Sequence, residues 1–225
     1  MKVGILLSGS GVYDGSEIHE SVFALLAILE NGGEPLFFAP DVQQMHVVNH
    51  LTGEEMDETR NVLIESARIA RGDIEALSDK TAEKIDALVL PGGFGTAKNH
   101  TNWAVKGPES EINPEVKTLI QRMVEARKPI VALCMAPTTI AKALEGTEFS
   151  AKLTVGSTEE PSPYDIDGIS QGISAVGSQP EMKTIREVLK DENLNIITAP
   201  CYMMEASPID VKQNIDHAIS IMFGR

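Results

Sequence analysis

Cys134 has the neighbours that make a cysteine chemically useful. In Ala132-Leu-Cys-Met-Ala-Pro137 it stands between an apolar run, Ile130 to Leu133, that reads as a buried strand, and a helix whose first turn takes Pro137. A strand-to-helix elbow lifts the side chain at the sheet's C-terminal edge and aims the N–H groups of the helix start at it. That placement favours thiolate over thiol, moving a group of ordinary pKa ~8.5 toward nucleophilic character. The same N–H groups can hold an oxyanion. The plain alternative is a small buried hydrophobe, a common role of free cysteine.

Other candidates surround it in the sequence. Pro91-Gly92-Gly93-Phe94-Gly95 follows an apolar run and belongs at the same sheet edge, where its backbone N–H can approach a ligand closely. Glu17 and Glu20 open a helix near that edge, either as acid–base groups or as solvated first-turn acids. Gly9-Ser-Gly-Val-Tyr-Asp-Gly15 invites a dinucleotide reading, but its third glycine falls one residue late and Asp14 would repel a pyrophosphate. His46 and His50 are spaced i, i+4 without the Glu a zincin needs and without a third ligand, so no metal is expected. After Cys134 the only histidine is His217, deep in the last helix, which argues against a Cys-His pair. Cys201 follows a strand and could border the pocket, and no role is assigned to it. Trp103, in the loop from Asn99 to Asn113, is read as exposed, on an ordinary surface loop in preference to a cap or dimer contact.

The elements that must position these groups alternate along the chain. Strands are expected at Val3–Leu7, Pro35–Pro40, Ala87–Leu90 and Ile130–Leu133. Helices are expected from Glu17 to Asn31, with Asp14 or Ser16 as cap and Ile18, Val22, Leu25, Leu26 and Leu29 as apolar positions, and from Asn61 to Arg71. Others start at Asn113-Pro114, at Pro137 and, through an approximate capping box with Asp210, at Ser207-Pro208. Between 156 and 200 the pattern is weakest; a hairpin turning at Asp191-Glu-Asn193 is preferred to a helix over Glu181–Lys190. Strands and helices in this order imply an α/β domain with a mostly parallel sheet covered on both faces, spanning residues 1–225 as one unit.

Composition narrows the partners. The chain has 225 residues, 33 Asp+Glu against 19 Lys+Arg, a net charge of −14, and two Cys. The acidic excess argues against a non-specific nucleic-acid or anionic-membrane binder, both of which need a basic footprint. Two unpaired cysteines without a Cys-x-x-Cys fit a reducing compartment. Five residues after Lys2 and before Ser8 are too few for a signal-peptide core, so the cytosol is expected.

Four blocks resemble one family: Ser8-Gly-Ser-Gly-Val-Tyr-Asp-Gly-Ser-Glu-Ile-His-Glu20, Asn49-His-Leu-Thr-Gly53, Thr59-Arg-Asn-Val-Leu-Ile-Glu65 and Pro91-Gly-Gly-Phe-Gly-Thr-Ala-Lys-Asn99. They are similar to the enhancing-lycopene-biosynthesis family, also called isoprenoid biosynthesis protein with amidotransferase-like domain. It lies in the DJ-1/PfpI branch of the class I glutamine amidotransferase-like superfamily. The resemblance implies a flavodoxin-like three-layer sandwich, a nucleophile elbow at Cys134 and a facing glutamate. Aligning Gly15-Ser-Glu-Ile-His-Glu20-Ser-Val with the DJ-1 pattern Gly-x-Glu-x-x-Glu-Thr-Val gives that role to Glu20, with Glu17 second. Gly93 and Met135 then supply oxyanion N–H groups beside Gly92. The implied activity is a glyoxalase without cofactor or metal, converting glyoxal, a small-molecule aldehyde, to glycolate; a homodimer is implied too. Two departures matter: Thr154 to Ser157 supplies no histidine for an amidotransferase triad, and some relatives have Cys where this chain has Ser10. The rival reading makes Cys134 a redox sensor without turnover.

Overall fold

The computed structural model describes residues 1–225. In chain order the elements are β1 (Lys2–Leu6), α1 (Ile18–Glu30), β2 (Glu34–Ala39), α2 (Val62–Ile69), β3 (Glu75–Ala76), α3 (Thr81–Lys84) and β4 (Ala87–Leu90). Next come α4 (Trp103–Lys106), α5 (Pro114–Glu125), β5 (Ile130–Leu133), α6 (Ala136–Leu144), β6 (Lys152–Leu153), α7 (Ile166–Ala175) and β7 (Gln179–Pro180). The chain closes with β8 (Leu189–Asp191), β9 (Ile196–Ala199) and α8 (Pro208–Met222). The main sheet runs β3-β2-β1-β4-β5-β9-β8, parallel except for β8, and β6 pairs with β7 in a small second sheet. Helices cover both faces, α1 against α8 and α5 against α6, giving the flavodoxin-like sandwich expected. Strand order reverses between β1 and β4, so a crevice opens at the carboxyl ends of β1, β4 and β5.

Central strands are apolar on both faces because helices bury both. Ala87 to Leu90 and Ile130 to Leu133 are fully buried. Asn113 caps α5 through the N–H groups of Glu115 and Val116, with Pro114 at the first position, and Ser207 and Asp210 close a reciprocal capping box on α8. The hairpin forms at its near end only. Its first arm is Leu189–Asp191, and the Asp191 carboxylate turns the chain by accepting the N–H groups of Asn193 and Leu194. Unforeseen within the weak stretch is α7, whose Gly168 and Gly172 lower its helix propensity; a Cβ on Gly172 would lie 2.9 Å from the Trp103 ring. That contact also corrects Trp103. It is 7% exposed, buried under α7 and not on a free loop.

Two expectations about α1 are corrected. Its cap is Glu17, because Asp14 is turned inward to accept the Val48 N–H at 2.7 Å and the Ser16 hydroxyl accepts the Ser8 N–H at 2.8 Å. Its buried face is Glu20, Ser21, Ala24, Ala27 and Ile28, while Ile18, Val22, Leu26 and Leu29 are 37–51% exposed. Small residues on the inner face let the helix lie close against α8, and that orientation carries Glu20 into the crevice.

Candidate active site

The elbow is built at the end of β5. Cys134 sits at φ 56°, in the left-handed region, which costs a non-glycine residue about 1 kcal/mol or more. Its own N–H donates to the Ala199 carbonyl at 2.9 Å, and the Thr138 hydroxyl donates to the Met135 carbonyl at 2.8 Å, fixing the turn from both sides. The side chain is 5% exposed. Backbone N–H groups of Gly93 and Met135 both reach its sulfur, so the two donors expected for an oxyanion converge on the thiol.

Glu20 faces the thiol from α1. As helix cap, the Glu17 carboxylate accepts the Glu20 N–H at 2.6 Å, which sets where the helix begins and so where Glu20 points. Glu20 is fully buried; its Oε2 accepts the Gly92 N–H at 2.8 Å, its Oε1 accepts the Tyr202 N–H at 3.4 Å, and the carboxyl hydrogen-bonds Cys134. Gly92 lies against both groups. A Cβ there would stand 2.8 Å from Glu20 Oε2 and 2.9 Å from Cys134 Sγ, and closer still to Cys134 Cβ, so only glycine leaves the pair intact. Gly93, at φ 93°, turns its N–H toward the sulfur, while Gly92 accepts the Glu17 N–H at 2.9 Å and ties α1 to this loop.

Burial controls the charges. It pushes the Glu20 carboxyl up to about 8, with the neighbouring Glu17 carboxylate adding to the rise. Burial raises Glu17 as well, against the N–H groups it caps. Cys134 is pushed up too, first by burial and then by the Glu20 carboxylate, and the N–H groups of Gly93 and Met135 oppose this without overcoming it. The thiolate expected from the elbow alone is therefore corrected. A helix start lowers a thiol in water, but here the low-dielectric surroundings and a carboxyl neighbour outweigh it. Thiol and carboxyl titrate as a pair that resists carrying two negative charges.

A narrow cleft of about 10 Å³ reaches the sulfur, lined by Val12, Glu17, Phe94, Tyr164, Tyr202 and Met203 together with the elbow. It opens toward a shallower hollow of about 410 Å³ where Tyr13, His19 and Glu205 join the wall. Sequence reasoning missed Phe94, Tyr164, Tyr202 and His19. The Tyr202 hydroxyl lies 2.8 Å from His19 Nδ1, and burial beside the acidic pair pushes the Tyr164 phenol up to about 12. Tyr202 had one signal, its position directly after a strand end and a cysteine. Tyr164 had none, since it precedes the helix that propensity concealed.

Remaining candidates serve the scaffold. His50 stacks on Tyr13 with ring centres 4.9 Å apart, and its Nε2 accepts the Tyr13 N–H at 3.2 Å. Asn99 donates to the carbonyls of Ser8 and Asp14 and accepts the Met45 N–H, pinning the glycine-rich segment to the 92–100 loop. Ser10 forms a β-bridge with Ser16. His46 offers its carbonyl to the Gln44 amide. His217 lies in a surface groove with Arg186 and Asp210, and Thr154 to Ser157 packs against Thr198 and Met204, so neither brings an imidazole to the cleft. Buried His100 donates from Nε2 to the Leu7 carbonyl and is pushed down to about 4, hence neutral. No three His, Cys, Asp or Glu side chains come together as a metal site. Cys201 is fully buried and does not line the cleft.

No protein-family model matches the chain. It is 42% identical over 208 residues to the human (Homo sapiens) glutamine amidotransferase-like class 1 domain-containing protein 3, mitochondrial, covering 92% of this chain and 76% of that protein. It is also 42% identical over 206 residues to the ES1 protein homolog, mitochondrial, of Rattus norvegicus, covering 91% and 76%. Among solved structures, the isoprenoid biosynthesis protein with amidotransferase-like domain from Ehrlichia chaffeensis superposes with TM-score 0.89 at 32% identity over 100% of this chain and 98% of that one. Drosophila melanogaster DJ-1beta, at TM-score 0.54 and 17% identity over 100% and 91%, shares the fold. These relatives overturn the cytosolic reading made from the first eight residues: the human and rat proteins are named as mitochondrial, as is a zebrafish (Danio rerio) ES1 protein.

Proposed function

Since this chain belongs to the family of glutamine amidotransferase-like class 1 domain proteins and ES1 homologues, on the DJ-1/PfpI superfamily fold, we propose that it converts glyoxal to glycolate without a cofactor. The observation that carries this reading is the convergence on one sulfur of a buried carboxyl and two backbone N–H groups, at the floor of a small cleft. Cys134 adds to one carbonyl carbon, its proton passing to the carbonyl oxygen, and a hemithioacetal forms. The N–H groups of Gly93 and Met135 hold that oxygen as charge develops. Glu20, as carboxylate, removes the proton from the same carbon and returns it to the adjacent one through an enediolate, leaving a glycolyl thioester. Water then cleaves the thioester and restores the thiol. Its pKa of about 8 makes Glu20 a stronger base than an ordinary carboxylate.

The cleft suits a small uncharged substrate. Its lining carries Glu17 and no lysine or arginine, and the wider hollow adds Glu205 and no cation of fixed charge, so phosphorylated aldehydes are disfavoured. For the same reason we connect the chain to isoprenoid biosynthesis, named for the Ehrlichia chaffeensis protein, without a prenyl diphosphate in this cleft. Glutamine hydrolysis is disfavoured because the cleft holds no histidine at the sulfur. A homodimer is part of the proposal, and the exposed α1 residues Ile18, Val22, Leu26 and Leu29 are the apolar surface such a contact would bury. The test supplies carbon-13 glyoxal to wild type and to Glu20→Gln and follows glycolate by NMR. Glycolate from wild type and a loss of about a hundredfold or more in the variant is expected. Equal rates would overturn the reading.

A further inference from the structure

β5 and β9 lie side by side and parallel, with Leu133 opposite Ala199, and they end alike. Each strand leaves the sheet through a cysteine in the left-handed region, Cys134 at φ 56° and Cys201 at φ 49°. Both are free thiols, and they are the chain's only two. The backbone ties them together: the Cys134 N–H donates to the Ala199 carbonyl at 2.9 Å and also reaches the Cys201 sulfur. Cys201 is gripped from behind, its N–H donating to Asn214 Oδ1 at 3.0 Å while Asn214 Nδ2 donates to the Glu187 carbonyl at 2.8 Å. Adjacent strands are about 4.8 Å apart and a disulfide needs Cα atoms within about 7 Å. Cys201 stands one residue beyond the register neighbour of Cys134, and the Cys134 N–H at its sulfur brings that thiol against the elbow. The aldehyde chemistry makes no use of this second thiol.

We propose that Cys201 is the resolving thiol of Cys134, closing an internal Cys134–Cys201 disulfide beneath the cleft when a hydroperoxide oxidises the elbow. This stands on the two strand ends and does not depend on the aldehyde reading. The Cys134 sulfur attacks one peroxide oxygen: an S–O bond forms, the O–O bond breaks, and the other oxygen leaves as an alcohol or water carrying the thiol proton. Cys134 is oxidised by two electrons to a sulfenic acid and the peroxide is reduced. The Cys201 sulfur then attacks the Cys134 sulfur, an S–S bond forms, the S–O bond breaks, and hydroxide departs with the Cys201 proton as water. Glu20 is in place to assist proton delivery to that oxygen. An external dithiol restores both thiols. The bridge takes the nucleophile out of service reversibly and keeps it from the irreversible sulfinic acid.

Reduced full-length protein is treated with one equivalent of hydrogen peroxide, blocked with N-ethylmaleimide and weighed intact, then mapped by non-reducing peptide analysis. Most of the wild type is expected to lose the mass of two hydrogens, accept no maleimide and yield a linked Cys134–Cys201 peptide that dithiothreitol separates. Cys201→Ser, and Cys201→Ala should the serine fail to fold, are expected to gain oxygen at Cys134 instead. Wild type that gains oxygen at Cys134 with Cys201 still open to maleimide after denaturation overturns the proposal, and that readout needs no variant.

Discussion

Cys134 and Cys201 end neighbouring strands, share a left-handed backbone and are both buried, yet their surroundings differ in three ways. Cys134 has a carboxyl in contact, two backbone N–H groups at its sulfur and a cleft above it. Cys201 has the N–H of Cys134 at its sulfur, a buried asparagine behind it and no opening. Burial raises both thiols. What separates a catalytic candidate from a scaffold thiol here is therefore not the elbow. It is the glycine at position 92, which lets a carboxyl from another helix touch the sulfur, and the turned loop that supplies Gly93.

The largest effect expected from breaking this difference is at Glu20. Glu20→Gln should lower kcat/KM for glyoxal by about 10²-fold or more and flatten its pH profile. In wild type, activity needs the carboxylate, so kcat/KM should rise about tenfold per pH unit below about 8 and level off above it. Gly92→Ala, which forces a Cβ between carboxyl and thiol, should cost about 2 kcal/mol or more in denaturant unfolding and most of the activity. A raised carboxyl pKa also couples to stability. The folded state holds the Glu20 proton more tightly than the unfolded chain, so this stabilisation is complete below pH 4.5 and is lost as pH rises through about 8. Subtracting the unfolding free energy of Glu20→Gln from that of wild type should give a difference that falls by a few kcal/mol across that window. Asn214→Ala, acting on the other thiol, should cost about 1–3 kcal/mol by removing one buried and one half-buried hydrogen bond, while glyoxal turnover changes little. Smallest is Tyr202→Phe, which deletes the hydroxyl contact with His19 and should shift KM by no more than about threefold.

The elbow and the glycine loop were legible because each is a local pattern, an apolar strand run and a turn signal, whereas a carboxylate at a helix start left Glu17 and Glu20 open and only the resemblance to the DJ-1 pattern favoured Glu20. The face of α1 was not legible. Periodicity assigns the apolar stripe inward, but the helix buries Glu20 with Ser21, Ala24 and Ala27, small residues that permit close approach to α8. Trp103 was misplaced because its cover comes from α7, a helix whose glycines hide it from propensity. Tyr164 and Tyr202 reach the cleft through loops after and before such elements, and no spacing rule links them to Cys134. The thiol's charge was misjudged for a related reason: sequence gives the helix start, while the desolvation that opposes it depends on everything packed around the sulfur.

The central claim is that the thiol at the end of β5, and not its neighbour at the end of β9, performs aldehyde chemistry. Glycolate formation from glyoxal, followed by NMR in Cys134→Ala and Cys201→Ala beside wild type, tests it most directly. The account predicts a loss of at least about a thousandfold at Cys134 and a rate within about threefold of wild type at Cys201. Comparable rates in the two variants would contradict it.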